Sequence, residues 1–112
     1  MQDAKAITKY IRISPRKARL AAGLIRGKGV DDALVQLEFC NLKSGVLLKK
    51  TLSSAIANAE TRHSVQRRDL LVKEVRIDAG PTLKRAKSKS KGGRVPILKR
   101  TSHFTVTVGT KD

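Results

Sequence analysis

Lys84, Arg85, Lys87, Lys89, Lys91 and Arg94 put six cations into eleven consecutive residues, separated only by Ala, Ser and Gly. A second group, Arg12, Arg16, Lys17 and Arg19, surrounds Ser14-Pro15, and a third, Lys99, Arg100 and His103, follows the first. Side chains of this type neutralise phosphates and release the counter-ions condensed on them. Residues 1–29 carry eight basic groups and one acid, residues 30–80 eight and seven, and residues 81–112 nine and one, which sums to the chain's net +16. The middle therefore has the balance of an ordinary fold, and the two ends carry the binding charge. No acid stands between Asp78 and Asp112. Such a stretch repels itself unless something anionic surrounds it. A nucleic acid is the leading partner and a membrane surface the second.

Other chemistries find little support. Cys40 is the single cysteine, so neither an intrachain disulfide nor a cysteine-cluster zinc site can form. It reads as a small buried residue. His63 and His103 lie far apart in sequence, and His63 falls near a helix end, where it complements the dipole. Asp31-Asp32 imitates a catalytic carboxylate pair but sits where a helix N-cap belongs. Gly27-Lys28-Gly29 lacks the rest of any nucleotide-binding fingerprint. We therefore expect no enzyme activity, cofactor, metal or small-molecule substrate. Tyr10, Phe39 and Phe104 are the only aromatics, which argues against reading bases by stacking. Met1 to Ala6 shows no apolar signal core, and no run approaches the ~18 apolar residues of a membrane span.

A length of 112 residues permits one modest core. Ala4 to Ile13 reads as a strand, with Ile7, Ile11 and Ile13 on one parity with Lys9 and Ala6, Thr8, Tyr10 and Arg12 on the other. Ser14-Pro15 opens a helix as N-cap and first residue, with an Ala18, Ala21, Ala22, Ile25 stripe and an end at Gly27-Lys28-Gly29. Asp31 caps a short second helix with Leu34 and Leu37 inward. A third runs from about Leu42 to Arg62, its stripe Gly45, Leu48, Leu52, Ala55, Ile56 and Ala59. Gly45 within it predicts a closely approaching neighbour. Leu70 to Ala79 and Ser102 to Val108 alternate as strands. The nearly twenty residues between them are too long for an idle loop in so small a domain. Extended as two arms of ~9 residues at ~3.3 Å each, they reach about 30 Å from the sheet.

Gly80-Pro81-Thr82-Leu83-Lys84-Arg85 with Ile97-Leu98-Lys99-Arg100-Thr101-Ser102-His103-Phe104-Thr105-Val106 resembles the ribosomal protein twenty-two family of the large ribosomal subunit. Ser14-Pro15-Arg16-Lys17-Ala18-Arg19, Leu24-Ile25-Arg26-Gly27 and Ser54-Ala55-Ile56-Ala57-Asn58-Ala59-Glu60 match in the family's order, and the likeness spans Ala6 to Val108. The length suits the bacterial or organellar branch. The resemblance implies an α+β fold, three helices packed on a three-stranded antiparallel sheet with a long basic β-hairpin. It implies a globular part near the exit of the peptide tunnel and a hairpin lining the tunnel wall. The partners implied are large-subunit ribosomal RNA, neighbouring ribosomal proteins and the nascent polypeptide, with a role in subunit assembly and residence on the cytoplasmic ribosome. One departure stands out. The family's Arg-Ala-x-Gly-Arg run at the hairpin tip is replaced by Lys89-Ser90-Lys91-Gly92-Gly93-Arg94. Lysine is a point charge where arginine is a planar fork.

Residues and resemblance together give one domain over 1–112, with a globular part of 1–80 and 100–112 and an arm of about 81–99. They give a structural RNA-binding protein acting by charge neutralisation and shape insertion. Its contacts are Arg12, Arg16, Lys17, Arg19, Lys84, Arg85, Lys87, Lys89, Lys91, Arg94, Lys99, Arg100 and His103. The alternative is a free-standing architectural DNA-binding protein whose basic arm enters a groove. A membrane-surface role ranks last, because the first helix offers mostly Ala where bulky apolar residues belong.

Overall fold

The computed structural model describes residues 3–88 and 93–110. Its elements are strand β1 (Asp3–Ile11), helices α1 (Pro15–Gly23), α2 (Val30–Glu38) and α3 (Lys43–His63), and strands β2 (Leu70–Ala79), β3 (Leu83–Ser88), β4 (Arg94–Lys99) and β5 (Ser102–Thr110). A single 3-10 turn, Arg67–Asp69, leads into β2. β5 is the middle of an antiparallel sheet ordered β1-β5-β2, and β3 pairs with β4 in a separate two-stranded ribbon. Three helices on a three-stranded sheet with a basic hairpin is the α+β fold expected.

The core follows from the apolar periods. Every member of the α3 stripe is buried, and Phe104, Val106 and Val108 meet it from β5. Burying one such side chain is worth roughly 1.5–3 kcal/mol. Gly45 is where α3 comes nearest to its neighbour: a Cβ there would lie 2.9 Å from the Cys40 Cβ and 3.3 Å from the Leu37 carbonyl. The predicted close approach is thus a contact with Cys40, which is half-buried and not the buried residue expected.

Three local expectations need correction. β1 does not keep one parity. Tyr10 has φ 60, and the pairing with β5 slips between Thr8 and Ile11. Before this bulge the even residues face inward, with Ala4 buried and the Thr8 hydroxyl 2.9 Å from that of Thr51. After it, Ile11 and Ile13 pack on the core, while Ile7 is left 49% exposed. An extra residue in a strand exchanges its faces, which is why the isoleucines misled.

α1 stops at Gly23 instead of Gly27. The Gly27 N–H donates to the Val72 carbonyl at 3.1 Å and the Val72 N–H to Lys28 at 2.8 Å. Pairing with the sheet takes the backbone that would have continued the helix. Gly27, at φ +75, makes the turn. Asp31 is not an N-cap either. Gly29 holds that position, fixed by a bridge to Leu71, and Asp31 and Asp32 occupy the first turn of α2 without a side-chain cap bond. Their charge still complements the helix dipole.

The ribbon gives the molecule its length. The extents are 62 × 25 × 18 Å and the radius of gyration is 17.0 Å, against about 13 Å for a compact domain of this size. At its root the Gly80 N–H donates to the Thr101 carbonyl at 2.9 Å, and the Thr101 hydroxyl donates to the Pro81 carbonyl at 2.6 Å. A Cβ on Gly80 would meet the Thr101 Oγ1 at 2.5 Å, so only glycine fits there.

Candidate nucleic-acid interface

The basic residues divide by the elements that carry them. Arg12 follows the end of β1, Arg16 and Lys17 stand in the first turn of α1, and Lys99 and Arg100 close the hairpin. All five are exposed. Arg12, Lys17, Lys99 and Arg100 line one cleft of about 660 Å³ between α1, the start of α3 and the hairpin root. Lys43 makes a fifth cation on its wall, and no acid lines it. A larger hollow of about 850 Å³, by Gly27, His63 and Thr110, sets Asp69 against Arg68 and so lacks that one-signed charge.

Arg19 does not join the cleft. Its Nη2 donates to the Ile77 carbonyl at 3.1 Å, which ties α1 to β2. Arg26, from the turn after α1, does the same to Val75 at 2.9 Å. His103 is half-buried, and its Nδ1 accepts from the Tyr10 N–H at 3.1 Å while the two rings meet edge to face, 5.0 Å apart. This residue thus holds the β1 bulge in place through one ring nitrogen. His63, in the last turn of α3, bonds the Asp3 carbonyl through Nε2 at 3.2 Å.

On the ribbon, Lys84 and Arg85 are exposed, and Arg85 Nη1 donates to the carbonyl of Lys84 at 2.9 Å. Lys87 and Arg94 have strand positions in β3 and β4. Lys89 and Lys91 lie outside the described residues. The register pairs Leu83 with Lys99, Lys84 with Leu98, Arg85 with Ile97, Lys87 with Val95 and Ser88 with Arg94. No cation in it stands directly opposite another, an arrangement that avoids the cross-strand repulsion like charges would bring.

Ion pairing sharpens the division. Among the described residues the salt bridges are Arg67–Glu60, Lys73–Asp3 and Arg76–Asp78, at 3.4, 3.0 and 3.0 Å. None involves a cation of the cleft or the ribbon. The described cations of the cleft and the ribbon thus have no ion-pair partner among the described residues. Lys43 and its neighbour Ser44 are what sequence reasoning missed. The signal was present, since Lys43 opens a helix with no acid in its first turn, and a cation there opposes the helix dipole just as Arg16 and Lys17 do at the start of α1.

Nothing else in the described residues competes with this reading. They hold no cluster of three or more His, Cys, Asp or Glu able to bind a metal, and no helix long and apolar enough to cross a membrane.

Comparison with known proteins agrees. The family model for ribosomal protein L22p/L17e matches residues 6–109. Large ribosomal subunit protein uL22 of Protochlamydia amoebophila is 71% identical over 108 residues, covering 96% of this chain and 97% of its own. The proteins of the same name from Chlamydia abortus and Chlamydia pneumoniae are 63% and 61% identical over the same shares. The chain belongs to the L22p/L17e family of ribosomal proteins, which are structural proteins and not enzymes.

Proposed function

We propose that the chain is a structural constituent of the large ribosomal subunit that binds large-subunit ribosomal RNA through two continuous surfaces. One is the cleft, lined by Arg12, Lys17, Lys99 and Arg100, extended along α1 by Arg16 and Arg19. The other is the ribbon, with Lys84, Arg85, Lys87, Lys89, Lys91 and Arg94. His103, on β5 beside Gly80 at the hairpin root, joins these contacts. The carrying observation is that Arg12, Lys17, Lys43, Lys99 and Arg100 line one cleft without an acid, and that neither they nor Lys84 and Arg85 enter an ion pair among the described residues. The chain acts as one domain, with residues 81–99 as the arm. That arm lines the peptide exit tunnel, touching nascent polypeptide, while the globular part meets neighbouring ribosomal proteins and aids assembly. The relatives are bacterial, which favours the cytoplasmic ribosome over an organellar one.

The test is fractionation of cells carrying a tagged chain. Retention on large subunits through a high-salt wash supports the reading, together with tighter binding to large-subunit ribosomal RNA than to duplex DNA of equal length. Equal affinity for the two nucleic acids, with the chain found in the nucleoid fraction, overturns it in favour of the architectural DNA-binding alternative.

A further inference from the structure

We propose that the cleft seats one extruded nucleotide of the bound RNA, its phosphate at the start of α3 beside Ser44 and its base against Leu20, Leu42 and Leu98. The inference rests on the RNA-binding reading above and adds to it a defined subsite.

Two helix starts open on this cleft. Ser14 precedes α1 and Leu42 precedes α3, both contribute to its wall, and neither side chain makes a capping bond. Neither helix has an acid in its first turn, whereas α2, away from the cleft, has two. Leucine is among the poorest residues at an N-cap because it offers no acceptor. At the start of α3 only the Gly45 N–H finds a backbone acceptor, the Leu42 carbonyl at 3.0 Å. Helix starts left in this state hold unpaired N–H groups and positive potential, which an anionic phosphate satisfies.

Ser44 supplies the independent observation. It is 1% exposed and lines the cleft, and its hydroxyl is the one buried side-chain polar atom among the described residues without a hydrogen-bond partner. A buried hydroxyl in that condition calls for an explanation. It is carried on a single rotatable bond, so it can reach a group bound against its own backbone without moving the helix.

The apolar part of the cleft decides between a bare phosphate and a nucleotide. Leu20, Leu42 and Leu98 are 63%, 41% and 49% exposed. A phosphate needs none of them, but the face of an unstacked base does. Proteins recognise RNA largely at such splayed bases. The volume, about 660 Å³, lies within the ~300–1,000 Å³ of small-ligand sites. Lys99 and Arg100 make the cleft continuous with the ribbon, so one strand of RNA can run from one to the other.

Phosphorothioate interference on large-subunit ribosomal RNA, read with wild-type and Ser44→Ala full-length protein, tests this. A hydrogen bond to a charged group sets the expectation of about a tenfold or greater loss of affinity for Ser44→Ala. One interfering phosphate should vanish from its pattern while its melting temperature does not fall. An abasic substitution at that nucleotide should weaken wild-type binding several-fold and cost Leu98→Ala, altered on the exposed ribbon, almost nothing further. Unchanged affinity and an unchanged interference pattern in Ser44→Ala overturn the proposal, as does full competition by a polyglutamate peptide. If Ser44→Ala does not fold, the abasic and Leu98→Ala pair decides alone. Absence of salt-dependent RNA binding by the wild type would instead defeat the underlying RNA-binding reading.

Discussion

Two regions of this chain solve opposite problems. The helices and the β1-β5-β2 sheet bury twenty apolar residues and need no partner to do so. The β3-β4 ribbon exposes both Lys84 and Leu98, directly paired across it, and lies outside the core cluster. An isolated two-stranded ribbon is marginal in water. One region is thus stabilised from within. The other has no such core and, on the proposed reading, is held by the phosphates that surround its cations. The difference places folding and binding on separate residues, so each can be altered alone.

The largest expected effect is on backbone opening. Amides of α3 should exchange near the global unfolding limit and those of the ribbon near the rate of unstructured chain, a gap on the order of a thousandfold or more. Hydrogen exchange on the free protein measures it. Comparable protection in both regions would erase the contrast.

Next comes salt. With six to ten phosphates neutralised, affinity for large-subunit ribosomal RNA should fall on the order of a thousandfold or more between 50 and 200 mM salt. Filter binding across that range reads the slope, expected at roughly 0.7 to 0.9 per phosphate. A flat curve would show that the unpaired cations are not the binding surface.

A pair of substitutions sharpens the comparison further. Phe104→Ala removes the largest fully buried side chain and should destabilise the free domain by about 3–5 kcal/mol. Leu98→Ala on the ribbon should stay within about 0.5 kcal/mol. Denaturant melts of both variants decide it, and similar losses would mean that the ribbon belongs to the core.

How much of this the sequence disclosed depended on the kind of signal. The α3 stripe and the β5 alternation were legible because many residues repeat one period, and burial enforces each of them. β1 was half legible. Its single extra residue at Tyr10 exchanges the faces, and nothing local distinguishes a bulged strand of mixed apolar residues from a regular one. The end of α1 was set by a hydrogen bond from Gly27 to Val72, a partner forty-five residues away. The cleft was legible only in part. Arg12, Lys17, Lys99 and Arg100 were evident as charges. That Lys43 and Ser44 join them required knowing that the start of α3 lies beside the hairpin root.

The smallest effect on stability should come from deleting Leu83-Lys84-Arg85, which also tests the separation most directly. The root bonds between Gly80, Pro81 and Thr101 remain. Ala86 would then take the place opposite Lys99 that Leu83 now holds. The tip withdraws by up to about 10 Å at ~3.3 Å per residue. An odd deletion also exchanges the two faces of β3, so residues now on one side of the arm turn to the other. The core from Gly45 to Ala59 and along β5 makes no use of the deleted residues. The free variant should therefore melt cooperatively within about 0.5 kcal/mol of wild type and still enter subunits. Ribosomes that carry it should respond differently to tunnel-binding inhibitors, because the proposed lumen face of the arm has moved and turned. Unfolding of the free variant would show that the ribbon supports the core after all. Normal folding with every tunnel response unchanged would instead remove the arm from the tunnel, while leaving the RNA-binding cleft at its root untouched.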